Sequence, residues 1–245
     1  MVQKGVEIVS GDFEQPDSVR RAVSGVQGVF SVQPFEPGKA RLEIQWGKRL
    51  ADTAVASGVS HFVYASVFGA GAAPDVPHFA SKAEIETHIR SVGLRHTILQ
   101  PAGFMENLLM PVVLKGLSKG KLTTPHVVDS LQPLIAVDDI GAIAARVFAS
   151  PDEYADRTIP LVGDIVSTRT QAEILSRVLG RTISPAKLPG FLTRVFLGRD
   201  LFRMFRWIDT KSHTVPFSVE TLRSIYPQLK TFENWCCLTF AKTKG

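Results

Sequence analysis

Short apolar runs and amphipathic stretches alternate along most of this chain. Val6 to Val9 (VEIV) reads as a strand closed by the turn Ser10-Gly11-Asp12. Pro16, followed by Asp17 and Ser18, opens a helix that Gly25 ends. Gly28 to Val32 (GVFSV) is the next strand, and residues 33–39, with Pro34 and Pro37, form a loop at its carboxyl end. From about Arg41 to Ser57, Leu42, Trp46, Leu50 and Ala54 recur four apart on one helical face, and Gly58 stands where the chain leaves the helix. Residues 61–66, 79–91 and 94–99 then read as strand, helix and strand. This rhythm predicts an α/β fold, a doubly wound parallel sheet with right-handed crossovers. Ligands of such sheets bind outside the carboxyl ends of the strands, which directs attention to Ser66, Lys82 and the stretch Pro101 to Asn107.

Beyond Asn107 the rhythm breaks. Leu131 to Val137 reads as a strand, with Asp138 or Asp139 capping a helix to about Ser150. Thr158 to Val162 is a short strand, Thr168 or Thr170 caps a helix ending at Leu179-Gly180, and further helical stretches lie near 189–208 and 218–225. The expected organisation is a sheet domain over 1–165, with an excursion at 106–130, and a smaller mixed α/β lobe over 166–245.

Composition changes this picture little. At 245 residues and 44% hydrophobic, the chain can bury a full core. It has no run of 18 apolar residues. The adjacent pair Cys236-Cys237 offers neither a disulfide framework nor metal-ligand spacing, which fits a reducing compartment and a cytoplasmic location. The formal charge of +5 is too mild to select a partner. Between Arg181 and Lys211, Arg194, Arg199, Arg203 and Arg206 interleave with Phe191, Phe196, Phe202, Phe205 and Trp207. That pattern suits a basic–aromatic binding surface, but equally a lobe helix with aromatics inward and arginines in water. The second reading is the simpler, so neither nucleic acid nor a membrane is expected as partner. No GxSxG, HExxH or P-loop supports a hydrolase, metalloprotease or NTPase. Gly69-Ala70-Gly71 follows a strand but runs into Ala72, Ala73 and Pro74, and reads as a loop rather than a dinucleotide-binding turn.

Several stretches, in order, resemble the NmrA-like family of atypical short-chain dehydrogenases/reductases: GVEIVSGDFEQPDSV at 5–19, the lysine-bearing helix leading to TILQPAGFMEN at 97–107, VDDIG at 137–141, the lobe from Leu161 to Gly180, and FENW at 232–235. The resemblance implies a Rossmann-like sheet binding NADP(H), with NAD(H) not excluded. It also implies an N-terminal strand–GxxGxxG–helix–strand segment that this chain lacks, Met1 to Lys4 being the tail of the next helix. Binding would then be weak, and exposed sheet edges would suit a protein partner or a homodimer.

The resemblance further implies site residues. Lys82 would stand beside the nicotinamide ribose, with Ser66 as the substrate-orienting serine. His78 occupies the place of the usual catalytic tyrosine, and could share a helix face with Lys82. Asp12 and Phe13 would grip adenine. Ser31, Gln33 and Pro34 would line the ribose site, and Pro101, Ala102, Gly103 and Phe104 would pass the nicotinamide, with Gly103 leaving room for a small-molecule substrate. Alternatively, Lys82 pairs with Glu86 one turn on, and Glu106 and Asn107 cap the following helix. Three functions compete: a redox-responsive regulator without efficient turnover, an NADPH-dependent reductase of a small quinone or carbonyl compound, and a degenerate, cofactor-free fragment. Loss of the tyrosine favours the first.

Overall fold

The computed structural model describes residues 5–34, 36 and 38–240. The reading of Met1 to Lys4 as a helix tail, and Pro37, fall outside these residues. The elements follow in the order α1 (Pro16–Val23), β1 (Gly28–Ser31), α2 (Ala40–Ala56), β2 (His61–Ala65), α3 (Pro77–Ser91), β3 (His96–Pro101), β4 (Gly103–Phe104), α4 (Pro111–Ser118), β5 (Lys121–Thr124) and β6 (Leu131–Ile135). Then come α5 (Val137–Ala149), the single turn α6 (Pro151–Tyr154), β7 (Arg157–Leu161), β8 (Asp164–Ser167), α7 (Thr168–Leu179), β9 (Ser184–Lys187), α8 (Gly190–Phe196), α9 (Gly198–Lys211), α10 (Val219–Ile225) and α11 (Phe232–Phe240).

The main sheet is parallel, in the order β1-β2-β3-β7. Its two inner strands, β2 and β3, are buried on both faces, whereas the edge strands expose Phe30 on β1 and Arg157 and Thr158 on β7. Phe62, Tyr64 and Ile98 meet α1, α2 and α3 on one side. Val63, Leu99 and Ile159 meet Ile140, Ile143 and Val147 of α5 on the other. This is the doubly wound α/β arrangement the alternating pattern predicts. Gly47 lets α2 approach α3 closely: a Cβ there would lie 2.7 Å from Ile85.

Several expectations need correction. Val6 to Val9 is not a strand; Val6, Ile8 and Val9 are exposed and pair with no ladder among the described residues. An apolar run becomes a strand only where a neighbour takes its N–H and C=O groups. Leu131–Ile135 does not join the main sheet; it pairs parallel with β4 and antiparallel with β8 in a second sheet. The helix caps also differ. The N-cap of α5 is Ala136, without a side-chain bond, and that of α7 is Ser167, whose hydroxyl accepts from the Thr170 N–H. Asp139, expected at a cap, is instead fully buried and accepts from both the backbone N–H and the ammonium of Lys230. The buried face of α2 is Glu43, Gly47, Leu50, Ala51 and Ala54, with Leu42 and Trp46 at its margin.

The lobe core gathers Met105, Leu122, Leu134, Leu175, Phe232 and Trp235. From this side α9 reaches back over the loop after β2: Trp207 sits on Gly69, where φ is +80° and a Cβ would lie 2.4 Å from the indole, and packs edge-on to Phe79 at 5.1 Å.

Candidate functional site

The carboxyl ends of β1, β2 and β3 lie side by side, since Ser31 is in register with Tyr64 and Ala65 with Leu99. Three helices close beneath them, and the side chains that meet there are mostly polar and mostly buried. Lys82, one turn into α3, is 4% exposed. Its ammonium meets Glu43 Oε1 at 2.8 Å, donates to the Gln33 carbonyl at 3.4 Å, and lies 5.6 Å from the centre of the Tyr64 ring. The other oxygen of Glu43 accepts from the Ser81 hydroxyl at 2.6 Å.

A second carboxylate, Glu86, lies one turn further along α3 and is also buried. It accepts from Ser66 Oγ at 2.5 Å, from Gln100 Nε2 at 2.8 Å and from Arg90 at 3.0 Å. So Lys82 does not pair with Glu86, as helical spacing alone suggests. The partner comes from α2, because Gly47 brings that helix within reach.

This network is incompletely satisfied. The side-chain carbonyl of Gln33, the Tyr64 hydroxyl and the Trp46 indole N–H are buried without a hydrogen-bond partner among the described residues. Such groups are uncommon in folded proteins and mark a place where a ligand or water can be held. Burial, and then the charges of Glu43 and Glu86, push the Tyr64 hydroxyl well above its usual range. His78 is lowered to about 4, first by burial and then by the Lys82 ammonium.

The residues implied by the resemblance thus divide into three groups. Ser31, Gln33, Ser66, Lys82 and His78 converge at the strand ends, but Ser66 is held by Glu86, Lys82 by Glu43, and Ser31 by the Gln33 amide at 2.9 Å. Asp12 and Phe13 sit at the neighbouring turn. The exposed Asp12 carboxylate takes the Glu14 N–H at 2.8 Å and the Gln15 amide at 3.3 Å, while one face of Phe13 is stacked on Trp46 at 5.9 Å. Pro34 is exposed. At the far side Pro101 and Ala102 are buried, whereas Gly103 and Phe104 are exposed. Gly103 is less open than expected, because a Cβ would meet Leu134 at 3.3 Å and the Pro133 carbonyl at 3.4 Å. Glu106 is structural: it accepts from the Val137 N–H at the start of α5 and from the Trp235 indole. Glu43 escaped the sequence reading. Its only signal was a carboxylate in phase with Gly47, Leu50, Ala51 and Ala54, a small-residue stripe where a charge has to find a buried partner.

A nicotinamide dinucleotide fits this edge in part. The Asp12 carboxylate is exposed and Phe13 half-buried at one end of the edge, and the Gln33 side-chain carbonyl and Tyr64 hydroxyl, buried without a partner among the described residues, are of the kind that could bond a ribose hydroxyl. The Lys82 ammonium is engaged by Glu43 and the Gln33 carbonyl, and does not fit a place beside a nicotinamide ribose as it stands. The described residues include no group of His, Cys, Asp and Glu that could hold a metal ion.

A doubly wound parallel sheet with polar strand ends and a lobe folded over them defines a Rossmann-like α/β protein. More narrowly, the chain belongs to the NmrA-like family, whose model matches residues 1–236. It is 31% identical over 183 residues to the NAD(P)H azoreductase of Xenophilus azovorans, a match covering 74% of this chain and 61% of that protein. The chain therefore spans about three fifths of that curated relative. Among solved structures it resembles the Citrobacter sp. triphenylmethane reductase complexed with NADP(H) (TM-score 0.82, 18% identity, covering 97% of this chain and 84% of that one). It also resembles NmrA, a negative transcriptional regulator, in complex with NAD (TM-score 0.75, 19% identity, covering 98% and 82%).

Proposed function

We propose that this chain binds a nicotinamide dinucleotide, NADP(H) or NAD(H), along the carboxyl ends of β1 to β3, and serves as a redox-responsive regulator without efficient turnover. The observation that carries this reading is the Lys82–Glu43 pair. A cation buried against a carboxylate can be recruited by an incoming ribose or phosphate only by leaving that carboxylate, so binding is weak and is coupled to a rearrangement of α2 against α3. Three side chains at the strand ends are set away from proton transfer near neutrality: Tyr64 is shifted up, His78 down, and Ser66 donates to Glu86.

In this reading Asp12 and Phe13 hold the adenine, Ser31, Gln33 and Pro34 border the ribose, and Pro101 to Phe104 border the nicotinamide. When bound, the dinucleotide supplies or accepts a hydride. This chain's residues orient it and sense its arrival. The partner that reads the change is a protein, or a second copy of the chain meeting it at a sheet edge.

A reductase of a small quinone or carbonyl compound is the second reading. The 31% identity to an NAD(P)H azoreductase and the exposed ring of Phe104 favour it. Titration with NADPH and NADP⁺, followed by NADPH consumption across a panel of quinones and aldehydes, separates the two. Saturable binding with no consumption supports the regulator. Consumption that Lys82→Ala abolishes supports the reductase, and absence of binding removes both.

A further inference from the structure

The lobe carries a surface that nucleotide binding does not use. The pattern between Arg181 and Lys211 predicts a lobe helix with aromatics inward and arginines in water, and α9 obeys it. Arg199, Arg203 and Arg206 share its outer face, while Met204, Trp207 and Ile208 pack on Phe79 and Val76. The preceding α8 does the reverse. Its buried residue is Thr193, whose hydroxyl turns back to the Pro189 carbonyl. Phe191 and Val195, one turn apart on the opposite face, are 69% and 74% exposed, and Phe196 at the helix end is 72% exposed. Phe191 is four residues and one turn from Val195, with the exposed Arg194 beside it.

Charge gathers in the same stretch. Residues 181–211 hold seven Lys and Arg against two Asp, a formal +5, which equals the excess of the whole chain (28 Lys and Arg against 23 Asp and Glu). The rest of the chain is therefore formally neutral. Of the two acids, Asp209 is turned inward to His126, Ser130 and the Val127 N–H, so it does not offset the charge at the surface.

We propose that α8 and the start of α9 form a docking surface for an anionic lipid bilayer, on which the lobe lies without crossing it. Projecting phenylalanines beside arginines are the composition of a helix that rests in the headgroup boundary, its rings among acyl chains and its cations against phosphates. Among the described residues no helix is long and apolar enough to span. Two other occupants fit less well. A second copy would bring one +5 segment against another. A protein would have to offer matching pockets to side chains that stand about 70% clear of their own surface, whereas a fluid bilayer accepts them without complementarity.

The test is flotation of the 245-residue chain with vesicles of phosphatidylcholine alone and of phosphatidylcholine mixed with phosphatidylglycerol, at low and high salt. The proposal predicts co-flotation with the mixed vesicles only, reduced by salt. Phe191→Ser with Phe196→Ser should reduce partitioning by tenfold or more, and Arg194→Gln by about fivefold, the effect of one cation at a charged surface. Because these side chains are exposed, the variants should keep the wild-type circular dichroism and thermal midpoint. No flotation with either vesicle would overturn the proposal. So would flotation unaffected by the Phe pair, or binding to an acidic polypeptide such as polyglutamate while the vesicles stay bare, which would assign the surface to a protein partner.

Discussion

Lys230–Asp139 and Lys82–Glu43 both set a lysine against a buried carboxylate, and they differ in how completely they are satisfied. Asp139, at the start of α5, receives both the backbone N–H and the ammonium of Lys230, and its own helix N-terminus favours a negative charge there. The Lys230 side chain still reaches solvent, at 20% exposure; partial burial lowers its ammonium, but the bond and charge of Asp139, with Tyr226 and Asp138, together raise it above its usual range. This pair fastens the segment before α11 to the fold. Glu43 and Lys82 are 2% and 5% exposed in their side chains, and around them Gln33, Tyr64 and Trp46 keep polar atoms unpaired. A satisfied network ends an argument about structure. An unsatisfied one, at the carboxyl edge of a parallel sheet, is an arrangement waiting for a further group.

The largest effect should come from breaking the less satisfied pair. Lys82→Met strands the Glu43 carboxylate in the core and should cost about 3–5 kcal/mol in urea unfolding. Adding Glu43→Leu should return most of it, since replacing both charges by apolar groups of similar size is often neutral. A double variant as unstable as the single one would show that the two residues do not act as a pair.

His78 gives the next largest effect, through pH. Its folded-state value of about 4 lies below the ordinary 6.5. Between these values the unfolded chain binds a proton that the folded chain refuses. The contribution to stability is complete above pH 6.5 and is lost as pH falls towards 4, by about 3 kcal/mol at most. His78→Leu should flatten stability across that window; an unchanged slope would place the acid sensitivity elsewhere.

Lys230→Met should cost less than Lys82→Met, about 1–2 kcal/mol, because Asp139 keeps a backbone N–H and the helix terminus. Equal costs for the two lysine variants, compared in the same denaturant series, would erase the distinction between the networks.

Much of the frame could be read from the chain. The helix at 40–56, expected over 41–57, is long enough for its period to show through, and the alternation of β1, α2, β2, α3 and β3 follows from runs of ordinary length. Two kinds of element could not be read. Strands of two to four residues, β4, β8 and β9, carry too few positions for a period to register. Val6 to Val9 has strand composition but no ladder partner among the described residues, and pairing is not a local property. In the site, the strand order placed Ser66 and Lys82 at one edge, and the family resemblance added Ser31 and Gln33. Glu43 was missed because the apolar face of α2 was phased on Leu42 and Trp46. Leu50 and Ala54 are buried as expected, but in the first two turns the buried positions are Glu43 and Gly47, one residue on from Leu42 and Trp46, which carries a glutamate inward. On α8 the sequence resembles that of any amphipathic helix, and only the packing shows its apolar residues facing out.

The most direct test of the account is a calorimetric titration of NADPH into the wild-type chain and into Glu43→Gln, which frees Lys82 while keeping the shape of its neighbour. Weak, saturable binding by the wild type, tightened about tenfold in the variant (roughly 1.4 kcal/mol), is the predicted result. Equal or weaker binding by Glu43→Gln, or no heat from either protein at millimolar nucleotide, would contradict the claim that Glu43 holds Lys82 in reserve for a dinucleotide.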